Sequence, residues 1–204
     1  LKEEGWEVEA ICSYGKQVNS LKEKGYIIKN IEIPRNLNPF KIIKALFLLY
    51  RILKNENYDI VHVHTPLASI IGRIASKLAG VPVVIYTAHG FYFHENMSKL
   101  KFLFYLTLEK LMGYLTDVIF TQSHEDENLA IKYNILSKDK IFTIGNGVNI
   151  KKFEPLSNQK SDAIKKKLKI PKNFFVIGCI ARLVKEKGIV EFLEAAKMIL
   201  KKHK

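Results

Sequence analysis

Residues 59–90 read DIVHVHTPLASIIGRIASKLAGVPVVIYTAHG and contain the clearest pattern of secondary structure in the sequence. Two short apolar runs flank a longer segment in which apolar residues recur with the period of a helix. Gly80 and Pro82 follow that segment, and such a pair is typical of a helix end. The pattern predicts a strand, a helix and a second strand, which together are the repeating unit of a parallel sheet.

The same alternation of apolar runs and helical patterns continues on both sides of this unit. We predict strands at residues 7–12, 27–33, 59–64, 83–87, 117–121, 140–144 and 174–180. We predict helices at residues 39–55, 67–79, 99–115, 124–133, 162–168 and 188–202, with Ser123 as an N-cap. The expected fold class is α/β, with a Rossmann-like parallel sheet and helices on both faces.

A change in composition predicts a domain boundary. Residues 146–160 bring glycine, proline, serine and asparagine together, which is typical of a linker. We therefore expect an N-terminal domain at 1–145, a linker at 146–160, and the first βα unit of a second Rossmann-like domain at 161–204.

Composition narrows the class of protein. With 48% hydrophobic and 26% charged residues the chain is an ordinary folded protein, and its two cysteines have no metal-binding or disulfide spacing. The net charge of +13 is uneven, since residues 1–150 carry 18 Lys and Arg against 15 Asp and Glu, and residues 151–204 carry 15 against 5. A nucleic-acid-binding protein would not be charged in this way, so we expect no nucleic-acid partner and interpret the lysines as solvated.

Four histidines lie at or just after the carboxyl ends of predicted strands, where open α/β sheets bind ligands: His62, His64, His89 and His124. A His-x-His pair on a strand places both rings on one face, as in some metal-dependent hydrolases. Such a site needs further ligands, and the chain is short for a closed eight-stranded barrel. For His62 a structural role is favoured, whereas for His89 a structural and a functional role both stay open.

A candidate phosphate site lies near the other end of the chain. The predicted strand 174–180 leads into a loop, 181–188, that contains Arg182 and Lys187 and is followed by a helix. Two cations beside the N–H groups of a helix N-terminus suit a diphosphate. A solvated basic loop is an equal alternative.

The fingerprint of a nicotinamide-binding Rossmann fold is incomplete. Gly145 and Gly147 supply the first two glycines, but Ile150 stands where the third belongs. A dinucleotide-dependent oxidoreductase is therefore a weak alternative.

Four segments, taken in order, resemble glycosyltransferase family 4 and look most like its bacterial capsular and exopolysaccharide members. They are DIVHVH at 59–64, YTAHGF at 86–91, NGVN at 146–149 with FEP at 153–155, and ARLVKEKG at 181–188. They keep the family's spacing along essentially the whole chain.

The resemblance implies a GT-B enzyme, in which two Rossmann-like domains face each other across a cleft. It implies retaining sugar transfer from a nucleotide-diphosphate sugar, UDP-linked, with no cofactor and no required metal. The family's diphosphate-binding Arg and Lys match Arg182 and Lys187, and its cleft histidine matches His89. These three are the expected catalytic residues. Further cleft and hinge positions are His64, Gly90, Asn146, Gly147 and Val148.

The resemblance also implies parts that these 204 residues do not contain. We expect the family's first strand and Gly-rich loop to precede Leu1, and its paired glutamates to follow Lys204, so the chain alone should be inactive. A non-catalytic sugar-nucleotide-binding module is a further alternative.

The predicted helices at 40–54 and 99–115 point to the acceptor. Lys41, Lys44, Arg51 and Lys54 share one arc of the first helix, beside apolar residues. Basic and apolar helices of this kind can lie on an anionic membrane. That would suit a cytoplasmic enzyme, peripheral on the inner leaflet, with a glycan or polyprenyl-diphosphate-linked acceptor. Burial of both helices against the sheet is the equal alternative.

Overall fold

The computed structural model describes residues 1–94 and 97–202. The chain divides into two compact units, Leu1–Gly147 and Val148–Lys204, and the division falls inside the segment that the sequence marks as a linker. No helix in the described residues is long and apolar enough to cross a membrane.

All six strands among the described residues are in the first unit, where they form two parallel sheets. One sheet pairs β1 with β2, and the other has the order β3-β4-β5-β6. The strands are β1 Glu9–Cys12, β2 Ile27–Asn30, β3 Ile60–His64, β4 Val83–Ala88, β5 Val118–Thr121 and β6 Ile141–Thr143. The predicted parallel α/β fold is confirmed, and the carboxyl ends of β3 to β6 share one edge.

The helices alternate with these strands. They are α1 Val18–Glu23, α2 Pro39–Glu56, α3 Pro66–Ala79, α4 Lys99–Gly113, α5 His124–Lys132, α6 Asn158–Lys167 and α7 Ile189–Lys202. All except α1 are predicted from the sequence, but α6 begins four residues before its predicted start, inside the segment expected to be a linker. The short α1 buries one side chain, Val18, so it has too little apolar periodicity to be recognised.

Local side chains explain where the helices begin and end. Asn38 accepts a hydrogen bond from the N–H of Lys41 at 3.1 Å and caps α2. Ser123 accepts from the N–H of Asp126 at 3.2 Å, which confirms the predicted N-cap of α5. Gly80 ends α3 with a φ of 80°, a left-handed conformation that glycine adopts without strain.

The ladder register decides which side chains reach the core. Val63, Tyr86 and Ile119 are partners on one face of the larger sheet and belong to one buried cluster. Leu106 of α4 and Ala130 of α5 complete that cluster. Side chains of β3 at alternate positions therefore lie on the opposite face, and these include both histidines.

Helix α4 ends in an unusually close approach. A Cβ added to Gly113 would lie 2.0 Å from the carbonyl oxygen of Ile135. The two backbones can therefore meet there only because this residue has no side chain.

A buried ion pair joins α3 to α4. Arg73, which is fully buried, has its Nη2 3.2 Å from Oε2 of Glu109, and its guanidinium carbon lies 4.2 Å from the ring centroid of Tyr86. Burial raises the pKa of Glu109, and Arg73 opposes that rise. Breaking either side would leave a charge without its partner in the core.

The second unit contains α6 and α7 but lacks the predicted strand at 174–180. Those residues make no ladder, and Phe175 and Ile180 are 90% and 104% exposed. A strand is defined by its pairing, and the described residues of this unit include no partner strand. Lys165 of α6 donates hydrogen bonds to the carbonyls of Lys172 and Phe174, at 3.0 and 2.9 Å.

Candidate active site

Two histidines meet at the carboxyl ends of β3 and β4. Nδ1 of His64 lies 3.2 Å from Nε2 of His89, and their ring centroids are 5.4 Å apart. His64 ends β3, and its ladder partner Thr87 lies two residues before His89. The parallel register therefore brings together residues that are 25 positions apart.

His62 extends this pair into a row of three rings. Its centroid is 4.3 Å from that of His64, which confirms the predicted placement of both rings on one face. Nε2 of His62 lies 2.7 Å from Oγ1 of Thr87, which is 2% exposed, and Phe120 meets the ring edge-on. His62 thus has the hydrogen-bond partner that a structural role requires, although the residue is partly open to solvent rather than fully inside the core.

The surroundings of His62 and His64 oppose a positive charge on either ring. Loss of water around the ring, and then the nearby His64 and His89, lower the pKa of His62 to about 4. Loss of water and His89 also lower the pKa of His64. Two of the three rings are therefore neutral at physiological pH.

The backbone beside each histidine of the pair is unusual. Thr65, directly after His64, has φ 65° and ψ 149°, a region that a β-branched residue rarely adopts. Gly90, directly after His89, has φ 100°, which suits only glycine. The N–H of Phe91 then donates to Oδ1 of Asp126 at 3.5 Å.

A cavity of about 770 Å³ opens beside the histidines in the first unit. It lies between β1 and β3, which belong to the two separate sheets, and its walls include Ile11, Ile31 and Leu49 as well as His62 and His64. Most of its walls are apolar, and His62 and His64 contribute imidazole rings.

Arg182 and Lys187 lie in a folded loop of the second unit. The N–H of Val184 donates to the carbonyl of Arg182 at 2.9 Å, and the N–H of Lys187 donates to the carbonyl of Val184 at 3.1 Å. Both cationic side chains are exposed, and α7 begins two residues after Lys187. The loop therefore presents two cations next to a helix N-terminus.

The histidines do not form a metal site. The fourth candidate, His124, lies on α5, with Nδ1 3.0 Å from Oε2 of Glu127. In the part of the chain that the structure describes, no group of three or more His, Cys, Asp or Glu could hold a metal ion. A metal-dependent hydrolase is therefore not favoured.

The predicted hinge coincides with the division between the units. Gly147 ends the first unit and Val148 begins the second, and both are exposed, as is Asn146. Asn149 accepts a bond from the N–H of Lys152 at 3.0 Å through its side chain, which forms a local turn.

Sequence reasoning missed the residues that surround the histidines: Thr65, Thr87 and Asp126. Thr87 ends the predicted strand 83–87, but only the register of β3 on β4 in the structure shows that it pairs with His64. The conformation of Thr65 and the contact of Asp126 depend on tertiary structure and have no signal in the sequence.

The profile of Glycosyltransferase Family 4 matches residues 1–152. An Escherichia coli UDP-Gal:alpha-D-GlcNAc-diphosphoundecaprenol alpha-1,3-galactosyltransferase is 41% identical over 166 residues, which cover 81% of this chain and 43% of that protein. The capsular polysaccharide biosynthesis glycosyltransferase CapM of Staphylococcus aureus is 29% identical over 206 residues, which cover 99% and 53% of the two chains.

Among solved structures, a glycosyltransferase from Rickettsia africae matches with a TM-score of 0.72 and 25% identity, over 97% of this chain and 50% of that one. The chain thus spans about half the length of the relatives it matches. Because the family profile covers most of the sequence and the fold agrees, this chain belongs to glycosyltransferase family 4.

Proposed function

We propose that the protein transfers a hexose-type sugar from a UDP-linked donor to a polyprenyl-diphosphate-linked glycan in cell-surface polysaccharide synthesis. The observation that carries this proposal is the 41% identity, over 81% of the chain, to an enzyme named for a UDP-linked donor and a diphosphoundecaprenol-linked acceptor.

The transfer is retaining in this proposal. The bond between the anomeric carbon and the diphosphate oxygen breaks, and the acceptor hydroxyl oxygen bonds to that carbon on the same face. The acceptor proton passes to the departing diphosphate, so no protein base is needed. Positive charge builds on the sugar while negative charge builds on the leaving group, and these are the charges that the site must stabilise.

Arg182 and Lys187 stabilise the negative charge of the leaving diphosphate. Both are exposed cations of one folded loop that leads into α7. Their charge and the N–H groups of the helix N-terminus favour a diphosphate that is gaining negative charge. This stabilisation is stronger where water is excluded from the diphosphate.

His89 orients the donor sugar and stabilises the charge that develops on it. It follows β4 at the edge where α/β sheets bind ligands, and the left-handed Gly90 turns the chain away directly after it. His64 and Gly90 line the cleft in this proposal, and Asn146, Gly147 and Val148 form the hinge between the two domains.

The experiment replaces each cation in the intact protein. Arg182→Ala and Lys187→Ala should each lower turnover on the order of 10²-fold, as expected when a charge partner of the transition state is lost. Lys185→Ala is the matched control, because it removes a lysine of the same loop that has no assigned role, and its turnover should stay unchanged. Equal activity in all three variants would remove the diphosphate assignment.

Exposed apolar faces support a position on the inner leaflet of the membrane. On α2 the side chains of Phe40, Ile43 and Phe47 are 83%, 63% and 56% exposed. On α4 Leu100 and Leu103 are 83% and 60% exposed. Packing against the rest of the protein therefore buries only one side of each helix. The outer side of each combines apolar and basic residues, as membrane-surface helices do.

A further inference from the structure

We propose that His64 is a positioning residue: its Nδ1 accepts a hydrogen bond from Nε2–H of His89 and thereby fixes which nitrogen of His89 carries the proton. This inference rests on the proposed role of His89 in sugar transfer. Its basis is the 3.2 Å distance between these two nitrogens.

The direction of the hydrogen bond follows from the chemistry of the transfer. With Nε2 of His89 engaged by His64, Nδ1 is the nitrogen that stays available to a ligand. Positive charge builds on the sugar, so the nitrogen turned toward it should carry a lone pair rather than a proton. The ring proton of His89 must then be on Nε2, where Nδ1 of His64 can accept it.

His64 is suited to accept because its surroundings oppose a positive charge. Its ring lies 4.3 Å, centroid to centroid, from His62 and 5.4 Å from His89. Burial and His89 both lower the pKa of His64, so the ring is neutral and has one lone pair to offer.

His64 is also held in place from two sides. His62 packs against it and is anchored by the 2.7 Å contact with the buried hydroxyl of Thr87. On the other side Thr65, directly after it, has a left-handed φ of 65°. The acceptor nitrogen therefore has a defined position before any substrate binds, which is how a supporting residue orients a reacting one.

The test uses ring nitrogen NMR on the intact protein with ¹⁵N-labelled histidine. The parent should show His89 with a protonated Nε2 and an unprotonated Nδ1. His64→Phe keeps a ring for packing but has no acceptor, so His89 should become a mixture of both tautomers. His64→Asn places an amide oxygen near the position of Nδ1 and should restore the parent tautomer.

Activity gives a second readout. His64→Phe should lower kcat by about tenfold, the effect of losing one neutral hydrogen bond, and leave KM within about twofold. His64→Asn should recover most of kcat. His124→Phe is the control, because it makes the same exchange at an exposed histidine of α5 and should leave kcat unchanged.

Several outcomes would overturn the inference. Finding His89 of the parent protein protonated at Nδ1 would overturn the inference. This measurement needs no variant, so it still decides the matter if His64→Phe fails to fold. An unchanged His89 tautomer in His64→Phe, or an equal loss of kcat in the Phe and Asn variants, would do so as well. If the protein transfers no sugar and the tautomers still respond as stated, the hydrogen bond stands and the proposed function is what fails.

Discussion

A single protonation connects His62 to the stability of the fold. The pKa of His62 is about 4 in the folded protein against an ordinary value of 6.5. Between these values the unfolded chain binds more protons than the folded one. The free energy of unfolding should therefore fall as the pH is lowered from about 6.5 to about 4. Above pH 6.5 the titration of His62 no longer lowers it.

Urea denaturation at several pH values measures this effect. His62→Gln removes the titration and keeps an amide that can bond to Thr87, so it should flatten the fall of stability between pH 6.5 and pH 4. His64→Gln should flatten it too, because the pKa of His64 is lowered as well. Identical pH dependence in the parent and in both variants would show that these rings do not titrate differently in the folded state.

Much of the histidine cluster could be predicted at the residue scale. The spacing of His62 and His64 predicts two rings on one face, and the structure shows them there. The contact of His64 with His89 could not be predicted, because it needs the register of β3 on β4 to within one residue. A shift by one position would have moved the histidines to the other face of the sheet.

At the scale of elements, Gly113 controls how α4 packs on the segment before β6. Gly113→Ala would place a methyl group 2.0 Å from the carbonyl oxygen of Ile135. The two nearest atoms, this oxygen and its carbonyl carbon, are backbone atoms and cannot move without shifting the chain. We expect the free energy of unfolding to fall by about 3 kcal/mol or more, the upper end of what overpacking costs.

Chemical denaturation of Gly113→Ala beside Gly15→Ala checks this expectation. An added Cβ at Gly15 meets no heavy atom within 4 Å, and its φ is outside the left-handed region. That control should change stability by roughly 1 kcal/mol or less, toward greater stability, because alanine restricts the unfolded chain. Equal stability of the two variants would contradict the close approach.

The elements themselves differ in how well the sequence predicts them. Long helices such as α2 and α3 are recognised because their apolar periodicity and end signals agree. The short α1 is missed because six residues carry too little pattern. Residues 174–180 have the composition of a strand, but composition cannot supply the partner that a ladder needs.

At the scale of the whole molecule, the outer faces of α2 and α4 predict binding to anionic vesicles. Binding by the intact protein should weaken as salt rises, because each Lys or Arg near the surface contributes about 1 kcal/mol and is screened beyond about 8 Å in physiological salt. Replacing Lys41, Lys44, Arg51 and Lys54 together by Gln should weaken vesicle binding measurably in a flotation assay.

The structure adds an apolar counterpart to that experiment. Changing Phe40, Ile43 and Phe47 to Ser should also weaken binding, and it should leave the fold intact because these side chains are mostly exposed. A control that changes Lys165, Lys166 and Lys167 to Gln measures unspecific attraction. If only that control loses binding, the docking of α2 is wrong, and a lipid-linked acceptor would depend on the family relationship alone.

The left-handed backbone at Thr65 sets thermal stability against turnover in variants of this protein. Its conformation costs of order 1–3 kcal/mol in a β-branched residue and would cost little in glycine. A screen that rewards only thermal resistance should therefore favour Thr65→Gly. Under the role proposed for His64, the same exchange loosens the support of the reacting histidine. Selection for robustness and selection for turnover then pull in opposite directions at this one position, so a variant library should be scored for both.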